Sequence, residues 1–146
     1  MATNGRATPP GWFRAVAVVL LLWALMGCWA FYMHLTIGPM MTPDPNAWER
    51  GYAAALPAWF TPVYAIGVGG GLLGSLALLL GADLARPLYL ASLVAVMVQF
   101  GWSLLATDLI AHKGAAATVP FPLLIVAIAA FQLWLAGLAR RRGWIG

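Results

Sequence analysis

Four stretches of about 20 apolar residues dominate this sequence, and each is long enough to cross a ~30 Å hydrocarbon layer as a helix. They fall at about residues 15–37, 60–80, 88–107 and 121–139, and no charged side chain lies deep in any of them. In hydrocarbon an isolated strand leaves its backbone groups unpaired, so all four are predicted to be helices. The links at 81–87 and 108–119 are short, which makes neighbours in sequence neighbours in space. The predicted fold is therefore all-α: a single integral membrane domain over 1–146, built as an up-down-up-down four-helix bundle. Composition agrees, with 63% hydrophobic residues and 8% charged, roughly a third of the charge of an average soluble domain.

The few charges report orientation. Arg6, Arg14, Arg86, Arg140, Arg141 and Arg142 fall on one side of the spans with Asp83; Arg50 and Lys113 fall on the other with Asp44, Glu49 and Asp108. By the positive-inside rule the first side is cytoplasmic, so both termini are predicted there. Trp12, Trp134 and Trp144 then sit near the inner interface, and Trp29, Trp48, Trp59 and Trp102 near the outer one. The basic excess is a topology signal; no nucleic-acid partner is expected, and the first partner is the lipid bilayer. The first eleven residues read as a mobile tail. The outer loop 38–59 is rich in proline, and a short interfacial helix is predicted over 46–56, opening near Asp44 or Asn46 with Trp48 and Tyr52 on one face.

Leu25-Met26-Gly27-Cys28 resembles a lipobox, but the apolar run continues through Trp29-Ala30-Phe31-Tyr32 where a lipoprotein tether is polar, so the first span is retained. A single cysteine excludes an internal disulfide, and Cys28 in an apolar span reads as inert.

Gly69 to Gly74 spells a GxGxxG, but that fingerprint needs a preceding strand in a soluble βαβ unit. Inside a membrane helix, Gly67 with Gly71 and Gly70 with Gly74 read as overlapping GxxxG pairs that admit another helix at close range. In the third span Ser92, Gln99, Ser103 and Thr107 recur at intervals of seven, four and four, one stripe of a helix. Gln99 lies near mid-depth and Gln132 of the fourth span close to its level. The two amides either hydrogen-bond between helices or form the polar floor of a small-molecule cavity. Near the outer ends, Tyr32, His34, Asp108 and His112 are expected to gather in one mouth, with Asp108 and His112 on a shared face. Met33, Met40 and Met41 add thioethers, which read as lipid-facing filler. Neither a metal site nor a cofactor is expected, and no nucleophile-base or paired-carboxylate arrangement is apparent, so an enzyme is not expected.

The pattern resembles the DoxX-like group of small four-helix bacterial inner-membrane proteins. The residues that carry the resemblance are Leu56-Pro57-Ala58-Trp59 before the glycine-rich span, the basic turn Arg86-Pro87-Leu88, and an alanine-rich third span. Trp23, Gly27 and Tyr32, Val98-Gln99 and the terminal Arg140-Arg141-Arg142-Gly143-Trp144 are similar to a set sometimes labelled sugar transporters. The resemblance implies a multi-pass protein of the bacterial inner membrane, and for some members a role as membrane subunit of a quinone-linked oxidoreductase. The function expected is an accessory or scaffold subunit, as a homo-oligomer or within a larger membrane complex. The alternatives are an oligomeric carrier or channel for a sugar-like solute, and a quinone-associated redox helper.

Overall fold

The computed structural model of the chain describes residues 7–40 and 42–146; Arg6 and Met41 lie outside the described residues. In chain order the helices are α1 (Gly11–Ile37), α2 (Ala47–Ala54), α3 (Phe60–Leu79), α4 (Ala85–Gly101) continued by a π-helical segment (Trp102–Ala106), α5 (Leu109–Lys113), α6 (Ala115–Thr118) and α7 (Pro120–Arg141). Among the described residues four helical runs are long and apolar enough to cross a membrane: α1, α3, Ala85–Ala106 and Ala115–Arg141. There is no strand among them.

Boundaries differ from the apolar runs for local reasons. Pro10, with extended backbone, lets α1 begin at Gly11 and brings Trp12, Phe13 and Arg14 onto the helix. In α4, Arg86-Pro87 sits within the first turn, where backbone N–H groups have no helical acceptor and a proline costs nothing. At the other end of α4 the winding widens into the π-helical segment and stops at Thr107, whose backbone is extended (φ −120°, ψ 171°). The Thr107 hydroxyl donates back to the Ser103 carbonyl.

α3 lies along both α1 and α4, and α4 lies along α7, while the backbones of α1 and α7 do not pair along their length. The four long helices thus form a row folded on itself. One end is closed by a core that includes Phe13, Leu20, Leu78, Tyr89, Leu135 and Ile145. The first described residues and the C-terminal residues meet there. α3 and α7 terminate in the same motif: Gly81 (φ 75°) and Gly143 (φ 76°) take the left-handed conformation that glycine alone adopts freely. The following amides, of Ala82 and Trp144, donate back to Ala77 and Ala139 at 2.8 Å. The second reversal lays Trp144 against Phe13 at 4.9 Å between ring centroids and Trp12 at 5.5 Å. The Ala7 amide donates to the Gly143 carbonyl at 2.8 Å, so the last part of the N-terminal tail is docked, in contrast to the mobility read from its composition.

The glycine seam is used within the chain. A Cβ built on Gly70 would stand 2.8 Å from the Leu88 carbonyl oxygen, and one on Gly74 2.7 Å from the Tyr89 ring. Gly67 meets Val96 and Gly71 meets Ser92, so all four glycines face α4. The close approach allows two bonds: Ser92 Oγ donates to the Gly67 carbonyl at 2.6 Å, and the Ser75 and Tyr89 hydroxyls pair at 2.8 Å. Gly70→Ala is expected to lower stability by about 1–3 kcal/mol, because the obstructing atom is backbone and cannot rotate away. Gly69→Ala, with nothing within 4 Å, is expected to be neutral. Denaturant-induced unfolding of both variants in detergent checks the contrast.

Candidate functional site: a cavity inside the bundle

Because α1 and α7 diverge beyond the closed core, the half of the bundle away from the termini holds a cavity of about 500 Å³, within the size range of small-molecule pockets. All four long helices contribute to its wall, which is mainly apolar. Into it reach Gln99 of α4 and Gln132 of α7, 5% and 3% exposed. Neither amide has a hydrogen-bond partner among the described residues, and the two are not bonded to each other. Every other buried polar side chain on the wall is engaged: Ser92 with Gly67, His34 Nε2 with Thr61 Oγ1 at 3.2 Å, and Ser103 Oγ, which accepts from Tyr52 Oη at 3.2 Å.

The end of the cavity away from the termini is stoppered by α2. Asn46 caps this helix in a reciprocal box with Glu49: the Glu49 amide donates to Asn46 Oδ1 at 2.8 Å and the Asn46 amide to Glu49 Oε1 at 2.9 Å. One face then carries Trp48 and Tyr52, their rings 5.5 Å apart. Tyr52 reaches the buried Ser103 on the π-helical segment, and burial pushes the Tyr52 hydroxyl up from its ordinary pKa, partly offset by that bond. Trp48 Nε1 donates to both Asp108 oxygens at 3.2 Å, and its ring stacks on His112 at 4.4 Å. His112 Nε2 is 3.2 Å from Asp108 Oδ2, and Lys113 Nζ is 3.0 Å from Glu49 Oε2. These contacts hold α2 to α5.

The four residues read as one mouth therefore separate. Tyr32 and His34 are two positions apart on α1, about 200° around a helix, so they cannot share a face. His34 is buried against Thr61 and the Phe60 and Tyr64 rings, on the cavity wall, whereas Tyr32 is 61% exposed on the outside of the bundle. Asp108 and His112 join the α2 clamp and do not line the cavity. Of the third-span stripe, Ser92, Gln99 and Ser103 line it and Thr107 does not. Among the described residues no group of three or more histidine, cysteine or acidic side chains is arranged to hold a metal ion. Tyr64 and Trp23 also line the wall, and neither was among the expected site residues; Tyr64, an aromatic with a polar tip in an otherwise apolar run, was the available signal.

No family model, curated protein or solved structure matches the chain, so the resemblance to the DoxX-like group rests on sequence pattern alone.

Two predictions follow from the geometry. Gln99→Leu is expected to leave the stability of the ligand-free protein no lower than that of the parent, since it replaces an amide that faces the cavity without a protein partner by an apolar side chain of similar volume. Thermal unfolding in detergent measures it, and a loss of stability would show that Gln99 is paired in the fold. Glu49 has its carboxyl held below the ordinary range, first by the Asn46 amide and then by Lys113. Its contribution to the α2 clamp is present at neutral pH and lost as the pH falls through that lowered value. The Trp48-dependent part of the fluorescence, defined with Trp48→Phe, is expected to change in acid, and Glu49→Ala is expected to give the acid signal already at pH 7.

Proposed function

We propose that this multi-pass membrane protein is an accessory subunit that binds a small molecule inside its helices. In this reading the chain is an up-down-up-down bundle of a bacterial inner membrane with cytoplasmic termini, which the one-sided arginines support. The carrying observation is the pair of unpartnered amides, Gln99 and Gln132, in a cavity of about 500 Å³. An amide left without a partner in an apolar interior costs about 1–3 kcal/mol, and an occupant that hydrogen-bonds to both removes that cost. The glycine seam, spent on α3 against α4, supports the internal fold and lends nothing to self-association.

Mass spectrometry of the protein released intact from membranes in mild detergent tests the reading. A single bound small-molecule mass is expected on the parent protein and none on Ala129→Phe, whose ring would occupy the space beside the buried Ala129. A parent protein that carries no adduct, and whose melting temperature is not raised by any fraction of a total membrane extract, would refute it.

A further inference from the structure

Resting on that binding reading, we propose that the occupant is an uncharged, largely apolar molecule taken from the bilayer through a lateral window between α1 and α7, with one compact donor-and-acceptor head held by Gln99 and Gln132.

The route follows from where the helices meet. Trp23, midway along α1, touches Phe121 in the first turn of α7 at 6.4 Å between ring centroids. Beyond that contact α1 continues to Ile37 with no α7 beside it. Met26, Trp29 and Phe121 line the cavity and are also 49%, 59% and 56% exposed, so they form a rim that faces the apolar surroundings of the spans. At the aqueous end, by contrast, α2 is held across the cavity. Tyr52 is 9% exposed and bonded to Ser103, and Trp48 is clamped to Asp108 and His112.

The ligand class follows from the wall. No aspartate, glutamate, lysine or arginine lines it, so an ionised ligand would lose its hydration with no opposite charge to meet. A sugar, with a hydroxyl on nearly every carbon, needs a partner for each, and leaving them unmet is costly. The wall offers few: Ser92, Ser103, Tyr52 and His34 each already make a bond within the protein, and the unpartnered groups are the two amides, the Tyr64 hydroxyl and the Trp23 and Trp29 indole N–H groups. Each glutamine side chain presents one acceptor and one NH₂ donor, so the pair matches a head group such as a primary amide or a carbonyl beside a hydroxyl. The remaining apolar surface suits a hydrocarbon body.

The test uses the full chain in mild detergent, with Trp23 on the cavity wall as reporter and Trp23→Phe defining the background from the other tryptophans. The probes are a dibrominated octadecanamide, the dibrominated alkane of equal length, and glucose as a competitor; bromine quenches tryptophan at contact. Trp23-dependent quenching is expected to saturate at about tenfold lower concentration with the amide than with the alkane. Gln99→Leu and Gln132→Leu are each expected to remove about fivefold or more of that preference without weakening the alkane. For the route, Phe121→Ala is expected to speed the onset of quenching and Glu49→Ala, which loosens the α2 clamp from outside the cavity, to leave it unchanged; the reverse dependence would overturn lateral entry. Equal saturation by amide and alkane, or release of quenching by glucose, would overturn the ligand class and leave cavity binding intact. Absence of Trp23-dependent saturation with every probe would remove the binding reading itself.

Discussion

Hydrocarbon offers no hydrogen bonds, and that constraint organises the whole molecule. Backbone groups are satisfied by winding into helices. Side chains have to find partners one at a time, and most do so at contacts that also decide how the helices pack. Ser75 with Tyr89 and Ser92 with the Gly67 carbonyl fasten α3 to α4. His34 with Thr61 fastens α1 to α3, and Tyr52 with Ser103 draws the short α2 onto the π-helical end of α4. Because lipid tails are as apolar as leucine, burying more hydrocarbon does little to bring these helices together; close packing and these bonds do it. Against that background two glutamines without partners are the exception that needs explaining.

The cavity is a consequence of how the close packing is distributed. Small residues are concentrated on α3, where Gly70 and Gly74 let the backbone and the Tyr89 ring of α4 approach within distances that any side chain would prevent. Toward the termini, Ala17 of α1 and Ala136 and Ala139 of α7 are fully buried and allow a tight core there as well. Farther along, Trp23 of α1 meets Phe121 in the first turn of α7, and Met26 and Trp29 follow on α1 along the cavity edge. Tight contact at one end and bulky side chains toward the other leave a wedge beside the end helices of the row. Gln99 and Gln132 project into that wedge.

The spans were legible in the sequence because length and the exclusion of charge are properties of single segments. The cap of α2 was nearly so: Asn46 followed three residues later by Glu49 is a local signal, and it settles the choice between Asp44 and Asn46. The π-helical segment was not, since nothing in Trp102-Ser103-Leu104-Leu105-Ala106 departs from an ordinary apolar helix. Its wider turn is what separates Thr107 from the Ser92, Gln99, Ser103 stripe. Polar residues inside the spans could be picked out one by one, so Gln99, Gln132 and His34 were found, but whether two amides on different helices meet depends on the separation of α4 and α7, which no local pattern records. The single-mouth expectation failed at Tyr32 for a simpler reason, since helical periodicity opposes it to His34.

The stopper and the window impose different demands on the same cavity. Tyr52 lies on a helix of eight residues, which is too short to be stable alone in water, so its position depends on the capping box and on the contacts of Trp48 and Glu49 with α5. Those contacts are ionic or polar and partly exposed, where solvent weakens them, and the Glu49 carboxylate among them responds to acid. The window rim is made of Met26, Trp29 and Phe121, whose dispersion contacts with hydrocarbon are indifferent to pH and salt. A bilayer-dissolved molecule would therefore meet an entrance that solution conditions do not alter, while the barrier between its polar head and the aqueous phase depends on a clamp that they do. It is the barrier to water, and not the access from lipid, that this protein leaves open to adjustment.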